Sequence, residues 1–137
     1  ISHFGGRVQP DKEVNFGAAP VTVPANTFFL TGTWYFGPES ASLRSPRGSI
    51  TISYQANKAN LVLRADTTVV AEVRIDGKPL TAATKGKDVF LTKGGSWVNI
   101  HDDRLYNLTN TGDDYSRHTL ELIFSQPGVE AFAFTFG

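Results

Sequence analysis

The sequence predicts an all-β domain, a jelly-roll-like β-sandwich of two antiparallel sheets with about eight or nine strands. Three observations lead there. Apolar residues alternate with period two over short runs. Glycine and proline punctuate those runs as turns would, and no window carries an apolar stripe at helical spacing. Ten Phe, four Tyr and two Trp supply the large side chains, with no Met. That is a stiff aromatic complement, suited to stacked sheets.

In chain order, residues 1–25 contain Pro10, Pro20 and Pro24 and read as a linker or extended N-terminal arm, with one sandwich domain over 26–137. Strands are expected near Thr27 to Phe36, Ser49 to Gln55, Asn60 to Ala65, Val69 to Asp76, Lys87 to Thr92, Ser96 to Ile100, Arg104 to Thr109, His118 to Ser125 and Glu130 to Phe136. Turns fall between them at Gly37-Pro38, Ser45-Pro46-Arg47-Gly48, Asp76-Gly77-Lys78-Pro79, Gly94-Gly95 and Pro127-Gly128. Parity turns Ile50, Ile52 and Tyr54 inward, with Leu61 and Leu63, then Ala71, Val73 and Ile75, then Leu120, Leu122 and Phe124. Phe132, Phe134 and Phe136 share one side of the last strand, and Pro127-Gly128 is expected to join the last two strands as a hairpin. Trp34 shares parity with Phe28, Leu30 and Phe36 and belongs to the core.

At 137 residues the chain can bury a core without disulfide or metal. Thirteen basic residues balance thirteen acidic ones, and no basic run could neutralise several phosphates, so nucleic acid is not an expected partner. No apolar stretch is long enough to span a membrane. The chain starts at Ile1 and reads as a domain excised from a longer protein, with any signal or anchor outside it. The absence of Cys removes disulfides, thiolate nucleophiles and cysteine metal sites together.

The ending Pro127-Gly128-Val129-Glu130-Ala131-Phe132-Ala133-Phe134-Thr135-Phe136-Gly137 resembles the end of the domain that follows the thioredoxin-like domain in DipZ-type proteins. Leu30-Thr31-Gly32-Thr33-Trp34, Val73-Arg74-Ile75-Asp76-Gly77-Lys78-Pro79, Arg104-Leu105-Tyr106-Asn107-Leu108 and His118-Thr119-Leu120-Glu121-Leu122 agree with it in the same order, from about Phe28 onward. In that bacterial family a CcdA-like membrane unit can precede the thioredoxin-like domain, and the last domain resembles a carbohydrate-binding module. The resemblance implies an extracytoplasmic location, in the periplasm or cell envelope, within a larger membrane-associated protein. It implies an attached thioredoxin-like domain as partner; the redox cysteines belong to that neighbour.

Sugar recognition needs flat rings for C–H stacking and polar groups to fix hydroxyls. Trp97 alternates with Val98 and Ile100, which places it beside Ser96 and Asn99 on the more polar side of its strand and makes it the leading stacking residue. A half-buried Trp covering the sandwich rim is the other reading. Tyr35 lies opposite Trp34 in parity; Tyr106 and Tyr115 adjoin polar loops. His101, Asp102 and Arg104 belong to the densest polar cluster, which as a run of consecutive residues reads as a solvated turn rather than a converging catalytic set. Calcium would require Asp102, Asp103, Asp113 and Asp114 to meet, and no EF-hand spacing directs them together; no cofactor is expected. No nucleophile elbow, phosphate loop or metal-histidine pair is present.

The leading expectation is a non-catalytic module that binds a glycan or cell-envelope polymer and positions a thioredoxin-like domain. The alternative is a protein-interaction module docking on that neighbour or a client without sugar binding. A third, a hydrolase using Asp102 and Asp114, would need those carboxyl groups to face each other across a pocket.

Overall fold

The computed structural model describes residues 13–17 and 27–137. Among them every regular element is a strand: β1 (Glu13–Phe16), β2 (Thr27–Phe36), β3 (Ala41–Leu43), β4 (Gly48–Gln55), β5 (Lys58–Ala65), β6 (Val69–Ile75), β7 (Lys78–Pro79), β8 (Val89–Thr92), β9 (Gly95–Ile100), β10 (Arg104–Asn110), β11 (Arg117–Phe124) and β12 (Val129–Phe136). No helix of the described residues is long and apolar enough to cross a membrane. All ladders are antiparallel. Of the expected N-terminal arm, residues 1–12 and 18–25 lie outside the described residues, while β1 pairs with β2.

Two sheets share one strand. The first half of β2, Thr27 to Thr31, pairs with β4 and opens a sheet ordered β2-β4-β11-β6-β9-β8, with β7 alongside β6. Its second half lies between β1 and β3, in a sheet that continues through β12 and β5 to β10. The chain turns this corner at Gly32, whose φ of 94° is left-handed. A Cβ there would sit 2.5 Å from the Arg47 carbonyl oxygen and 2.9 Å from Ser45 Oγ. Only glycine gives both the backbone angle and the close approach. At the far ends the sheets meet again through the β7–β8 loop. Gly86 N donates to Leu108 O at 2.9 Å, Asn110 N donates to Thr84 O at 2.9 Å, and Lys85 bridges to Thr109.

The inward residues of β4, β5, β6 and β11 follow their alternation and are buried. Trp34 is fully buried, its Nε1 donating to Thr31 O at 2.7 Å and its ring edge-on to Phe124. Tyr54 crosses from one sheet to the other: its hydroxyl lies 2.7 Å from Thr109 Oγ1, which also accepts the Ala59 amide. Burial pushes the Tyr54 phenol above its ordinary pKa, so it stays a neutral hydrogen-bonding group. These bonds satisfy the polar atoms that the aromatic core encloses.

Two expectations are corrected. The last two strands are not a hairpin: β11 pairs with β4 and β6, and β12 with β3 and β5, in the other sheet. Pro127-Gly128 makes the crossing, with Gly128 at φ 106° donating its amide to Leu43 O. The three phenylalanines of β12 also do not share one face. A bulge between Ala131 and Ala133 shifts the register against β5, so the inward side passes from the buried Val129 and Ala131 to the half-buried Phe134 and the exposed Phe136, leaving Phe132 at the irregularity. Phe134 packs on Phe28, and Phe136 stacks on Tyr54 at 5.4 Å. The short β1, β3 and β7 were not expected from sequence; β3 and β7 have two or three residues each, too few to show a period.

Gly32→Ala adds a Cβ against backbone at a left-handed corner, and we expect a loss on the order of 3 kcal/mol. Urea unfolding checks this: the midpoint falls with the m-value unchanged. A loss below about 0.5 kcal/mol, within the range of neutral surface changes, would contradict the corner as described.

Candidate functional site

The outer face of the first sheet carries the candidate site, on the hairpin of β8 and β9. The pair Thr92–Gly95 closes this hairpin around Lys93-Gly94, and Phe90 lies directly opposite Trp97. Across β9, Trp97 faces Glu72 and Asn99 faces Val70 of β6. Gly95, two residues before Trp97, has no side chain, and the indole occupies that space: a Cβ there would be 3.4 Å from Cζ2 and 3.6 Å from Nε1. Trp97 Nε1 donates to Thr92 Oγ1 at 2.8 Å. The ring therefore lies over the hairpin, pinned at its nitrogen, and half-buried. Phe90, 41% exposed, extends the aromatic surface. Asn99 is exposed beside it, and Glu72 and Arg74 form an ion pair at 2.8 Å on the neighbouring strand. Flat apolar ring next to amide, carboxylate and guanidinium is the chemistry that a sugar ring's C–H face and hydroxyls require.

Ser96 does not stand with Trp97 as expected. Alternation turns it inward, where its hydroxyl donates to Val73 O and accepts the Leu80 amide. Tyr35 is half-buried on the other sheet, opposite Glu13 and Ser42, with the Arg44 guanidinium 5.0 Å from its ring centre. Tyr115 is 60% exposed in the β10–β11 loop. Neither Tyr35 nor Tyr115 shares a strand with Trp97.

Tyr106 is corrected outright as a stacking residue: it is 1% exposed. Its hydroxyl accepts the His101 amide and donates to Asp102 O, while the Arg104 guanidinium lies 4.0 Å over its ring. It thereby ties the turn His101 to Arg104 that joins β9 to β10. His101 Nδ1 is 3.0 Å from Ala65 O, and Arg104 binds Asp88 at 3.1 Å. Arg104 is thus a bracing residue, with its donors spent on Asp88 and on Leu105 O. The exposed His101 and Asp102 flank the platform's strand end.

A second polar cluster joins Asp114, Ser116 and His118 of the polar run 113–118 to Asp76, the one member remote in the chain. His118, nearly buried between β11's neighbours, lies 2.8 Å from Asp76 through Nδ1 and 3.2 Å from Asp114 through Nε2. Ser116 Oγ is 3.4 Å from the same Nε2 and donates to Asp114 Oδ1 at 2.5 Å. The order Ser, His, Asp suggests a nucleophile relay, yet Asp114 occupies the position a base would need. The hydroxyl proton points at a carboxylate, and both imidazole nitrogens face carboxylates. Hydrogen bonds from the Ser116 hydroxyl and amide hold the Asp114 carboxyl below its ordinary value. Asp114 is therefore engaged here, whereas Asp102 lies in the turn tied by Tyr106. Clefts of about 470, 520 and 370 Å³ dent the surface, and neither Asp102 nor Asp114 lines them. Among the described residues no group of three or more His, Asp or Glu side chains is arranged to hold a metal ion.

The sequence signal for Phe90 and Thr92 was present but unused. Lys93-Gly94 is a two-residue hairpin turn, which fixes the register and puts Phe90 across from Trp97.

The fold defines a class, the antiparallel two-sheet β-sandwich module with one outer face carrying an aromatic surface. Solved structures share the fold. A family two carbohydrate esterase from Clostridium thermocellum in complex with cellohexaose matches 73% of this chain at TM-score 0.55 and 15% identity. An active-site mutant of a family two carbohydrate esterase from the same organism, also a complex, matches 80% at TM-score 0.62 and 16% identity. The chain spans 27% and 31% of those proteins. No curated protein matches it in sequence. Over residues 2–137 the sequence matches the family described as thioredoxin like C-terminal domain, and the chain belongs to that family.

Asp88 anchors the β7–β8 loop, accepting from Arg104 and from the Asn107 amide at 2.7 Å. Burial alone pushes its carboxyl up, but the Arg104 and Asn107 hydrogen bonds and the charges of Arg104 and Lys87 bring it below its ordinary value. A depressed carboxylate stabilises the fold above its unfolded pKa of about 4 and loses that contribution as pH falls through the folded value. Asp88→Asn should therefore cost about 1 kcal/mol at pH 7, a figure kept low because Arg104 is partly solvated. The deficit should narrow below about pH 4, as measured by denaturation at a series of pH values. A deficit that does not change with pH would contradict this role.

Proposed function

We propose that the chain is a non-catalytic glycan-binding module that works outside the cytoplasm and positions an attached thioredoxin-like domain, as in the DipZ-type arrangement. The observation that carries this is the Trp97 indole laid over Gly95 and pinned to Thr92 on an outer sheet face, with Phe90 and Asn99 beside it. Such a ring is fixed before any ligand arrives, so binding orders little further and stacking energy goes into affinity. The family's description as a thioredoxin like C-terminal domain supports the tether. The fold's occurrence in carbohydrate esterases, one of them in complex with cellohexaose, supports a saccharide as ligand.

A second reading draws on a specific observation. Val70, Phe90 and Leu91 are each 41–42% exposed around β8, the edge strand of its sheet. An apolar rim on an open edge suits docking of a protein neighbour. The two readings differ in what Trp97 touches when the full-length protein works.

Calorimetric titration with cello-oligosaccharides and with bacterial envelope glycans tests the proposal. Wild type should bind at least one of them. Trp97→Ala should weaken that binding by about tenfold or more, since base- or sugar-type stacking on an aromatic ring is worth roughly 1–3 kcal/mol. Its melting temperature should change little, because the ring is on the outer face. Absence of binding to every glycan, together with protection of Phe90 and Trp97 by the thioredoxin-like domain, would favour the docking reading instead.

A further inference from the structure

The cleft of about 520 Å³ between the β7–β8 loop and strands β5 and β10 has a chemistry unlike the rest of the surface. The chain is neutral overall, yet Lys58, Lys85 and Lys87 line this cleft with Asn60, Asn107 and Asn110, and no carboxylate does. Lys58 and Lys87 are exposed and form no ion pair among the described residues. Lys85 reaches only the Gly86 carbonyl, at 3.4 Å.

The amides are oriented by the scaffold. Asn107 Oδ1 accepts the Lys87 backbone amide at 2.8 Å, and Asn110 Oδ1 accepts the Gly112 amide at 3.0 Å. A backbone N–H can only donate, so these two bonds settle which side-chain atom is oxygen. Asn107 Nδ2 then donates to Asn60 Oδ1 at 2.7 Å. Each of the three amide oxygens thus accepts a hydrogen bond within the fold. The cleft is then lined by three ammonium groups and the Asn110 amide nitrogen, while the Asn60 nitrogen turns to Thr135 Oγ1 at 3.4 Å. A site with three cations and no carboxylate in its lining favours an anion rich in acceptor oxygens.

The cleft is also built in advance. The loop carrying Lys85 and Lys87 is fastened to β10 by the Gly86 N to Leu108 O and Asn110 N to Thr84 O bonds. Gly86 lies so close that a Cβ would be 2.3 Å from Asn107 O. Lys58 stands on the adjoining strand, in register with Asn110. Asp88, the carboxylate that feels Lys87, is already bound by Arg104 and the Asn107 amide, so three cations share a cleft with no carboxylate in its lining, and a bound polyanion relieves their mutual repulsion.

We propose that this cleft is a second binding site, for an acidic glycan whose units carry carboxylate or phosphate groups. It uses none of the residues of the Trp97 platform, and it deepens the glycan-binding reading by naming the ligand's charge. Neutral rings would stack on the platform while the acidic substituents of the same or another polymer occupy the lysine cleft.

The test is a set of titrations on the chain with three probes: an oligogalacturonate for the carboxylate, a polyglycerol phosphate for the phosphate and cellohexaose as the neutral saccharide. Wild type, Trp97→Ala and the double variant Lys58→Gln with Lys87→Gln are compared, with circular dichroism to confirm folding. Both exchanged lysines are exposed, so the fold should tolerate the change. The expected result is binding of at least one acidic probe that weakens with rising salt and falls about tenfold in the lysine variant. Cellohexaose affinity should be untouched by the lysine variant. Which acidic probe binds more tightly identifies the source. Failure of both acidic probes would overturn the cleft proposal while leaving the platform reading intact, as would acidic binding equal in wild type and lysine variant. Loss of cellohexaose binding alone, in every protein, would instead strike the platform.

Discussion

The corner at Gly32 is the constraint on which the rest depends. A single strand can serve two sheets only if the backbone bends sharply without a side chain in the way. The left-handed φ of 94° and the 2.5 Å approach of the Arg47 carbonyl allow nothing larger than hydrogen at that position. From that bend the first sheet runs to β8 and the second to β10, and the β7–β8 loop fastens the two ends together. The aromatic interior is then sealed at one edge by the chain turning and at the other by hydrogen bonds. Tyr54 with Thr109 ties the middle. Apolar side chains fill the described core, and the candidate recognition surfaces lie on the outer faces and loops.

On those faces, the same physical device appears twice. Function is given by atoms that the scaffold holds still, and holding them consumes part of their bonding capacity. Trp97 gives its only N–H to Thr92, leaving an apolar face to the outside. In the cleft, Asn107 and Asn110 give their oxygens to backbone amides, and Asn110 keeps its nitrogen beside the lysines. In both cases internal hydrogen bonding decides what chemistry the surface can offer. The turn His101 to Arg104 shows the opposite outcome. Tyr106, Asp88 and Ala65 take up so much of it that it braces the fold.

Much of the fold was legible in the sequence because burial on one side of a strand imposes a period of two. Nine strands stand close to where that period placed them, and Trp34, Tyr54 and the Leu and Ile ladders are inside. What was not legible follows from the same cause. Periodicity reports a strand's faces and not its partners, so Pro127-Gly128 looked like a hairpin when it carries the chain between sheets. A one-residue bulge resets parity without a trace in composition, which is why Phe132 was misplaced. Trp97 and Asn99 were within reach because they share a face of one strand. Ser96 was assigned to that face against its own parity. Tyr106 looked available only because a polar turn precedes it; the turn proved to be what covers it. The lysine cleft joins residues far apart in the chain, as does the contact of Asp76 with the local run Asp114, Ser116 and His118, and no local pattern brings such partners together.

With only two tryptophans, one sealed in the core and one on the outer face, the chain carries its own reporter. The most direct measurement is the pair of indole N–H signals in a proton–nitrogen NMR spectrum during titration with an envelope glycan. The account predicts that the Trp97 signal shifts to saturation with the glycan while the Trp34 signal, held to Thr31 inside the sandwich, stays in place. A saturating glycan that leaves the Trp97 signal unmoved would contradict it.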